Sequence, residues 1–153
     1  MRSVRVAHIV PGTVYEVEQR WYDTSRWPAW VDGLQRVVDV SGEWPEVGAS
    51  VTWESGPAGR GRVVERVVEH EPLAGQTVAV TDDSIEGRQS ISFTPVQDGV
   101  ELGLTLSYEI KRRTLVTPLV DVLFIRRAMA TSLATTLSRF AAEASTRRSP
   151  TGP

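Results

Sequence analysis

The chain contains no cysteine among its 153 residues. That absence excludes disulfide bonds, thiol catalysis and cysteine-rich zinc sites. It also fits a reducing compartment, so we expect the protein to be cytoplasmic. Histidine is scarce as well, because only His8 and His70 occur, in different predicted strands and with no carboxylate at ligand spacing. The sequence therefore predicts no metal site.

Long apolar runs are missing too. No segment approaches the ~18 consecutive apolar residues of a membrane span. The N-terminal segment alternates polar and apolar side chains, whereas a signal peptide would need an unbroken apolar core. We therefore expect neither a targeting segment there nor stable insertion of the chain into a membrane.

Neither sign of charge dominates, and the common cofactor motifs are absent. Seventeen basic residues stand against nineteen acidic ones, which gives a net charge of −2. Such a balance creates no global field that attracts nucleic acid, so no nucleic-acid partner is predicted. The sequence holds no phosphate-binding loop, dinucleotide fingerprint or nucleophile elbow, and we expect no cofactor.

The chain does contain a regular succession of strand and helix patterns, in a length that fits one domain. Residues 3–10 alternate with period two and predict a first strand. Thr13 follows, with Glu16 at the spacing of a capping box, and the pair predicts the start of a helix.

A second short helix is predicted to begin at Thr24 or Ser25 and to end at Gly33. It carries Trp27 and Trp30, which are three residues apart and therefore share one face. Two interpretations of these tryptophans stay open at this point. They form the walls or gate of a pocket, or they pack the short helices onto a sheet.

Six further strands are predicted between this helix and residue 109, separated by turns rich in glycine, proline and aspartate. Their ranges are 34–40, 49–54, 60–70, 76–81, 85–94 and 100–109. The last strand shows the clearest alternation, with apolar side chains on one face and polar or small ones on the other.

The pattern changes period after Pro118. Apolar residues then recur at three- and four-residue spacings as far as Ala144, which predicts an amphipathic helix of almost thirty residues. Arg126 is the one charged residue in the apolar register, where it could reach the mouth of a pocket. We expect a single domain over residues 1–146 and a disordered tail over 147–153.

These elements predict an α+β fold. Consecutive hairpins give a seven-stranded curved antiparallel sheet, with two short helices after strand 1 and one long C-terminal helix packed across it. A lone amphipathic helix must bury its apolar stripe against the apolar face of the sheet. A cavity between the helix and the curved sheet is an expected consequence.

Several motifs in this order resemble those of a known superfamily. They are Trp27-Pro-Ala-Trp30 with Asp32-Gly33, Val68-Glu-His-Glu-Pro72, the strand from Gly99 to Tyr108, and the C-terminal helix. The chain resembles the START-like (SRPBCC) superfamily with the helix-grip fold, nearest to the polyketide cyclase/dehydrase-like branch of bacterial proteins. The resemblance covers residues 4–144. It implies a hydrophobic pocket under the long helix that binds lipids, polyketides, sterols or similar molecules.

Ten residues are predicted to bind the small hydrophobic molecule that this pocket implies. Most are aromatic or apolar side chains on the predicted inner surfaces of strands and helices. They are Trp27, Trp30, Trp53, Phe93, Leu104, Leu106, Tyr108, Leu123, Phe124 and Arg126.

The strand over 60–70 leaves the catalytic candidates open, since each of its two alternating sets mixes valine with charge. If the set with Arg66 and His70 points inward, Arg66 is the candidate for binding a carboxylate or enolate, and His70 is a candidate general base. If the other set does, Glu65 is the candidate acid or base. Tyr108 is a further candidate because its hydroxyl could orient a ligand on an otherwise apolar face.

Three classes of function follow. The first is a non-catalytic module that binds or carries a small hydrophobic molecule, as a monomer or weak homodimer. The second is a cofactor-free enzyme of the polyketide cyclase, aromatase or dehydratase type, which needs an inward polar group able to move a proton. The third is an interaction protein, as in toxin-like or ribosome-associated members of the superfamily.

Overall fold

The computed structural model describes residues 2–57, 59–111 and 119–148, with the backbone alone for 119–122 and 147–148. Strand β1 (Arg2–Val10) leads into helix α1 (Val14–Tyr22), a 3-10 turn (Thr24–Arg26) and helix α2 (Trp27–Trp30). The remaining strands are β2 (Leu34–Ser41), β3 (Ser50–Ser55), β4 (Arg62–Glu71), β5 (Gly75–Thr81), β6 (Ile85–Val96) and β7 (Gly99–Ile110). Helix α3 (Leu119–Arg148) completes the chain.

The seven strands form one antiparallel sheet in the order β1-β7-β6-β5-β4-β3-β2. Each hairpin places consecutive strands side by side, and β1 pairs along its whole length with β7. The predicted seven-stranded sheet with two short helices and a long C-terminal helix is therefore confirmed.

Helix α1 begins where the capping box predicts. Thr13 has an extended backbone, and its hydroxyl oxygen accepts a hydrogen bond from the amide of Glu16 at 3.2 Å. This bond satisfies one of the free amides of the first turn, a contribution of about 1 kcal/mol. The helix buries Val17, Trp21 and Tyr22.

Strand β7 supplies the centre of the core. Its inward residues Val100, Leu102, Leu104, Leu106 and Tyr108 are each at most 1% exposed. Strand alternation places all five on one face. Helix α3 buries Leu133, Leu137, Phe140 and Ala144 beneath the same layer, as the apolar spacing predicts.

The first turns of α3 differ from the prediction. Leu123 and Phe124 are 58% and 71% exposed, so the interior position expected for them is wrong. A helix of 30 residues is roughly 45 Å long. Strand β1, which contributes most of the sheet contacts to α3, spans roughly 30 Å with its nine residues. One end of α3 therefore extends beyond that strand.

Helix α3 continues through Arg148, so residues 147–148 of the predicted disordered tail over 147–153 are helical. The rest of that tail lies outside the described residues. Within the described part of the chain, no helix combines the length and the apolar character needed to cross a membrane.

Phe140→Ala tests how much stability the packing of α3 on the core provides. Phe140 is 2% exposed, and we expect its truncation to lower the free energy of unfolding by about 3–5 kcal/mol. The same substitution at the exposed Phe124 should change it by less than about 0.5 kcal/mol. Urea denaturation of both variants measures the two values. Equal losses would contradict this assignment of the two faces of α3.

Candidate functional site

An aromatic cluster joins the two short helices to α3 and the sheet. Its members are Trp21, Tyr22, Trp27, Trp30, Trp44, Phe93 and Phe140. Trp30 lies at its centre, with ring centroids 4.8 Å from Trp21 and 4.9 Å from Phe140. Trp27 contacts both Trp30 at 6.2 Å and Trp44 at 5.6 Å, mostly edge to face. These geometries are favourable for aromatic pairs, so the tryptophans of α2 pack the short helices onto the core.

A cavity of about 40 Å3 lies beside this cluster, between the sheet and α3. Aromatic and aliphatic side chains form most of its wall: Trp21, Trp27, Trp30, Val31, Trp53, Val78, Val80, Ile91, Leu104 and Leu133. Polar side chains complete it: Asp32, Arg60, Glu65, Gln76, Gln89, Ser132 and Thr136. Trp27 and Trp30 thus fill much of the interior and also wall the space that is left, so both interpretations of them contribute.

Glu65 is the acidic group at the base of the cavity. Glu65 is 8% exposed, and its Oε2 accepts a hydrogen bond from the Trp53 indole nitrogen at 2.7 Å. Burial raises the pKa of Glu65, while the Trp53 hydrogen bond and the positive charge of Arg60 act in the opposite direction. A carboxyl group in this environment favours its protonated form more than an ordinary glutamate does.

The direction of Glu65 settles the open question of strand β4. Val63, Glu65 and Val67 are buried, whereas Arg66 is exposed on the outer face of the sheet. The inward position expected for Arg66 under the first alternative is therefore wrong. The cross-strand partners of Glu65 and Val67 are Val80 and Val78, which belong to the buried face of β5.

A β-bulge between Val67 and Glu69 then shifts the alternation by one residue. As a result His70 pairs with the buried Gln76 and faces the same side as Glu65, although simple alternation puts them on opposite sides. Its ring packs edge-on against Tyr22 at 5.6 Å, and its Nδ1 lies 3.3 Å from Glu46 Oε2. His70 is not part of the cavity wall.

Tyr108 is fully buried but lies away from the cavity. Its hydroxyl has no hydrogen-bond partner among the described residues. Burial raises the pKa of Tyr108, and the positive charges of Arg2 and Arg126 oppose that rise. Among the four catalytic candidates, Arg66, Tyr108, Glu65 and His70, only Glu65 lines the cavity.

The predicted ligand-binding residues fall into three groups. Trp27, Trp30, Trp53 and Leu104 line the cavity. Phe93, Leu106 and Tyr108 are buried in the core outside it. Leu123, Phe124 and Arg126 are exposed on α3, which does not fit the pocket contact expected of them.

Arg60 is a charged residue of the cavity wall that is not among the sequence-predicted site residues. Its Nε donates to Asp82 Oδ2 at 2.6 Å, and its guanidinium lies 5.6 Å from the centre of the Trp53 ring. The other Asp82 oxygen accepts the amides of Ser84 and Ile85 at 2.7 and 2.9 Å. The position of Arg60 therefore depends on contacts between the β3–β4 turn and the β5–β6 turn. No local sequence motif predicts such contacts.

Gly61 explains how the hairpin that carries Arg60 packs so closely on the next turn. Its φ is +74°, and a Cβ atom at this position would lie 2.1 Å from an Asp83 carboxylate oxygen. A larger residue would be strained at this φ and would have to displace the exposed Asp83 side chain.

The turn over Val31–Gly33 closes the cavity against α3. The Asp32 amide donates to Thr136 Oγ1 at 2.9 Å, and the Asp32 carboxylate lies 3.4 Å from Arg139 Nη1. The Asp32 side chain is 34% exposed, so the turn separates the cavity from solvent. One hydrogen bond and one long, exposed ion pair are a weak closure.

The sequence family described as polyketide cyclase / dehydrase and lipid transport matches residues 1–145. The chain belongs to this family. A search of curated proteins finds no match to the chain. The family match confirms the START-like superfamily expected from the tryptophan segment and the C-terminal helix, together with the helix-grip fold described above.

Solved structures give the same result for the fold. The Zhui aromatase/cyclase from Streptomyces sp. R1128 aligns with a TM-score of 0.80 at 14% identity, over 99% of this chain and 98% of that one. A START superfamily protein from Mycobacterium smegmatis aligns with a TM-score of 0.72 at 14% identity, over 92% and 97%. At such identities the likeness shows the fold alone.

The di-domain aromatase/cyclase StfQ of the steffimycin biosynthetic pathway is also similar. It aligns with a TM-score of 0.73 at 19% identity, over 95% of this chain and 51% of that one. The chain therefore spans about half the length of that protein.

Glu65→Gln tests the buried state of the carboxyl group through the pH dependence of stability. Because the pKa of Glu65 is raised from 4.5 in the folded state, the free energy of unfolding falls as pH rises from that value through the folded pKa. The glutamine variant has no proton to lose there. We expect its stability relative to the wild type to increase with pH in urea denaturation series.

Glu54→Gln is the matched control with the opposite sign. Hydrogen bonds from Arg62 and Arg36 lower the pKa of the exposed Glu54, so its contribution is present above the unfolded pKa and is lost as pH falls through the folded pKa. The control variant should lose its difference from the wild type in acid. Parallel pH profiles for wild type and Glu65→Gln would contradict the burial of an ionisable Glu65.

Proposed function

We propose that the protein binds a small hydrophobic molecule, such as a lipid or a polyketide, in the cavity between the sheet and α3. The observation that supports this most strongly is the composition of the cavity wall. Aromatic and aliphatic side chains form most of it, and seven polar or charged side chains complete it. Ligand sites in proteins combine these two features, with the polar groups fixing orientation. The family description, which includes lipid transport, is consistent with this assignment.

Binding requires the cavity to open. Its volume of about 40 Å3 is well below the ~300–1,000 Å3 of typical small-molecule sites, and an engineered cavity that holds benzene has about 150 Å3. The turn over Val31–Gly33 is held to α3 by one hydrogen bond and one exposed ion pair. We propose that it moves away from Thr136 and Arg139 when a ligand enters.

Ser132→Trp tests this site directly. Ser132 lies in the cavity wall on α3, so an indole there should fill the space that the ligand needs. The neutral fluorophore N-phenyl-1-naphthylamine is the probe, and its emission rises in an apolar site. We expect saturable binding to the wild type and at least a tenfold loss of affinity in the variant, which corresponds to about 1.4 kcal/mol.

Ser138→Trp is the control on the same helix, because Ser138 is exposed and lies outside the cavity. It should bind the fluorophore as the wild type does. Absence of saturable binding to the wild type, or equal losses in the two variants, would refute binding in this cavity.

A cofactor-free enzyme of the cyclase or dehydratase type is the second candidate, and Glu65 is the observation that favours it. A buried carboxyl group with a raised pKa in a cavity is suited to donate or accept a proton. The binding function ranks first because Glu65 is the only one of the four catalytic candidates in the cavity wall.

A reactive poly-β-ketone added as substrate separates the two functions. An enzyme would cyclise it faster than buffer does, and Glu65→Gln would abolish that rate while leaving N-phenyl-1-naphthylamine bound. A wild-type rate equal to that of buffer would exclude the enzyme for this substrate class.

A further inference from the structure

Arg60 carries a buried hydrogen-bond donor that the protein itself does not use. Its Nε binds Asp82, yet its Nη2 atom is buried and has no hydrogen-bond partner among the described residues. An unsatisfied buried donor costs about 1–3 kcal/mol, and more when the group is charged. A polar ligand atom at Nη2 would remove this cost.

Asp82 is not available to satisfy that donor. One of its oxygens accepts two backbone amides, and the other accepts Arg60 Nε. The Asp82 side chain is 1% exposed, so its position is fixed by these bonds and by packing. The ion pair thus holds the guanidinium in place and leaves its Nη2 free for another acceptor.

Glu65 is a second polar group in the same cavity. Trp53 binds its Oε2, and no described residue hydrogen-bonds its Oε1. Burial raises the pKa of Glu65 and so favours a carboxyl group that can donate a proton to a neighbouring acceptor. Arg60 and Glu65 together offer donors in the wall of the cavity that Trp27 and Trp30 also line.

Two donors in the wall of one largely apolar cavity fit a group with two acceptor oxygens. A carboxylate has this geometry, and hydrogen bonds from guanidinium groups to carboxylates are among the strongest in proteins. Asp32 is also in the cavity wall, at the turn that closes the site. Its carboxylate pairs with Arg139.

We propose that the cavity recognises hydrophobic carboxylic acids, with the carboxylate bound by Arg60 Nη2 beside Glu65 and the apolar part against Trp27 and Trp30. This inference rests on the proposed function and adds the chemical class of its ligand. It assigns specificity to Arg60, whereas the exposed Arg66 has no part in it.

The test compares 2-naphthoate with 2-naphthamide, which share a shape and differ in charge. Calorimetric titration gives the affinity of each for the wild type. We expect naphthoate to bind at least about tenfold more tightly, since a hydrogen bond to a charged group contributes about 1.5–3 kcal/mol and 1.4 kcal/mol is a factor of ten.

Arg60→Lys is the informative variant. A lysine ammonium keeps a positive charge for Asp82, but it lacks the planar fork that presents a second nitrogen to the cavity. We expect the naphthoate-to-naphthamide ratio to fall to about one, because the second nitrogen that binds the carboxylate is removed. Arg66→Lys is the matched control and should keep the wild-type ratio.

A double variant, Arg60→Gln with Asp82→Asn, covers the case in which Arg60→Lys does not fold, because it removes both members of the ion pair. It should show the same loss of preference for the acid. Equal affinities for acid and amide in the wild type, or a preference that survives in either Arg60 variant, would overturn the assignment of Arg60. If the protein still binds N-phenyl-1-naphthylamine when this test fails, the proposed function remains supported and only the carboxylate specificity of Arg60 is rejected.

Discussion

The contact of Trp30 with Trp21 and Phe140 is the interaction on which the rest of the structure depends. It joins α2, α1 and α3 at ring distances of 4.8 and 4.9 Å around Trp30. Helix α2 has only four residues, so this contact provides much of its attachment to α1 and α3. Dispersion and the burial of large aromatic surfaces therefore replace the helix length that usually stabilises such elements.

The same packing creates the environment of the cavity. Because Trp27, Trp30 and Trp53 exclude water from its walls, a carboxyl group at Glu65 and a guanidinium at Arg60 lie in a medium where charge is costly. The hydrogen bond from Trp53 to Glu65 and the hydrogen bond from Arg60 to Asp82 offset part of that cost. The Arg60 Nη2 atom is left buried without a hydrogen-bond partner among the described residues, so the site keeps an unused donor.

Much of the fold follows from local patterns, whereas the site does not. The alternation of β7 and the cap at Thr13 are local, so the sequence determines them directly. Strand β4 mixes valine with charge on both sides, and its inward face depends on pairing with β5. The exposure of Phe124 depends on where α3 passes the sheet, and the importance of Arg60 depends on a distant aspartate. Both are tertiary facts.

The bulge between Val67 and Glu69 lets strand β4 contribute side chains to two separate buried regions, the cavity and the region beneath α1. Before it, β4 turns Glu65 toward the cavity; after it, the strand turns His70 toward Tyr22 and Glu46. An uninterrupted strand would present a glutamate, and not the imidazole, beneath α1. One extra residue thus places Glu65 and His70 in two neighbouring buried regions without any change in the number of strands. An insertion or deletion at the bulge would therefore change which side chains point inward after it, and would leave Glu65 in the cavity.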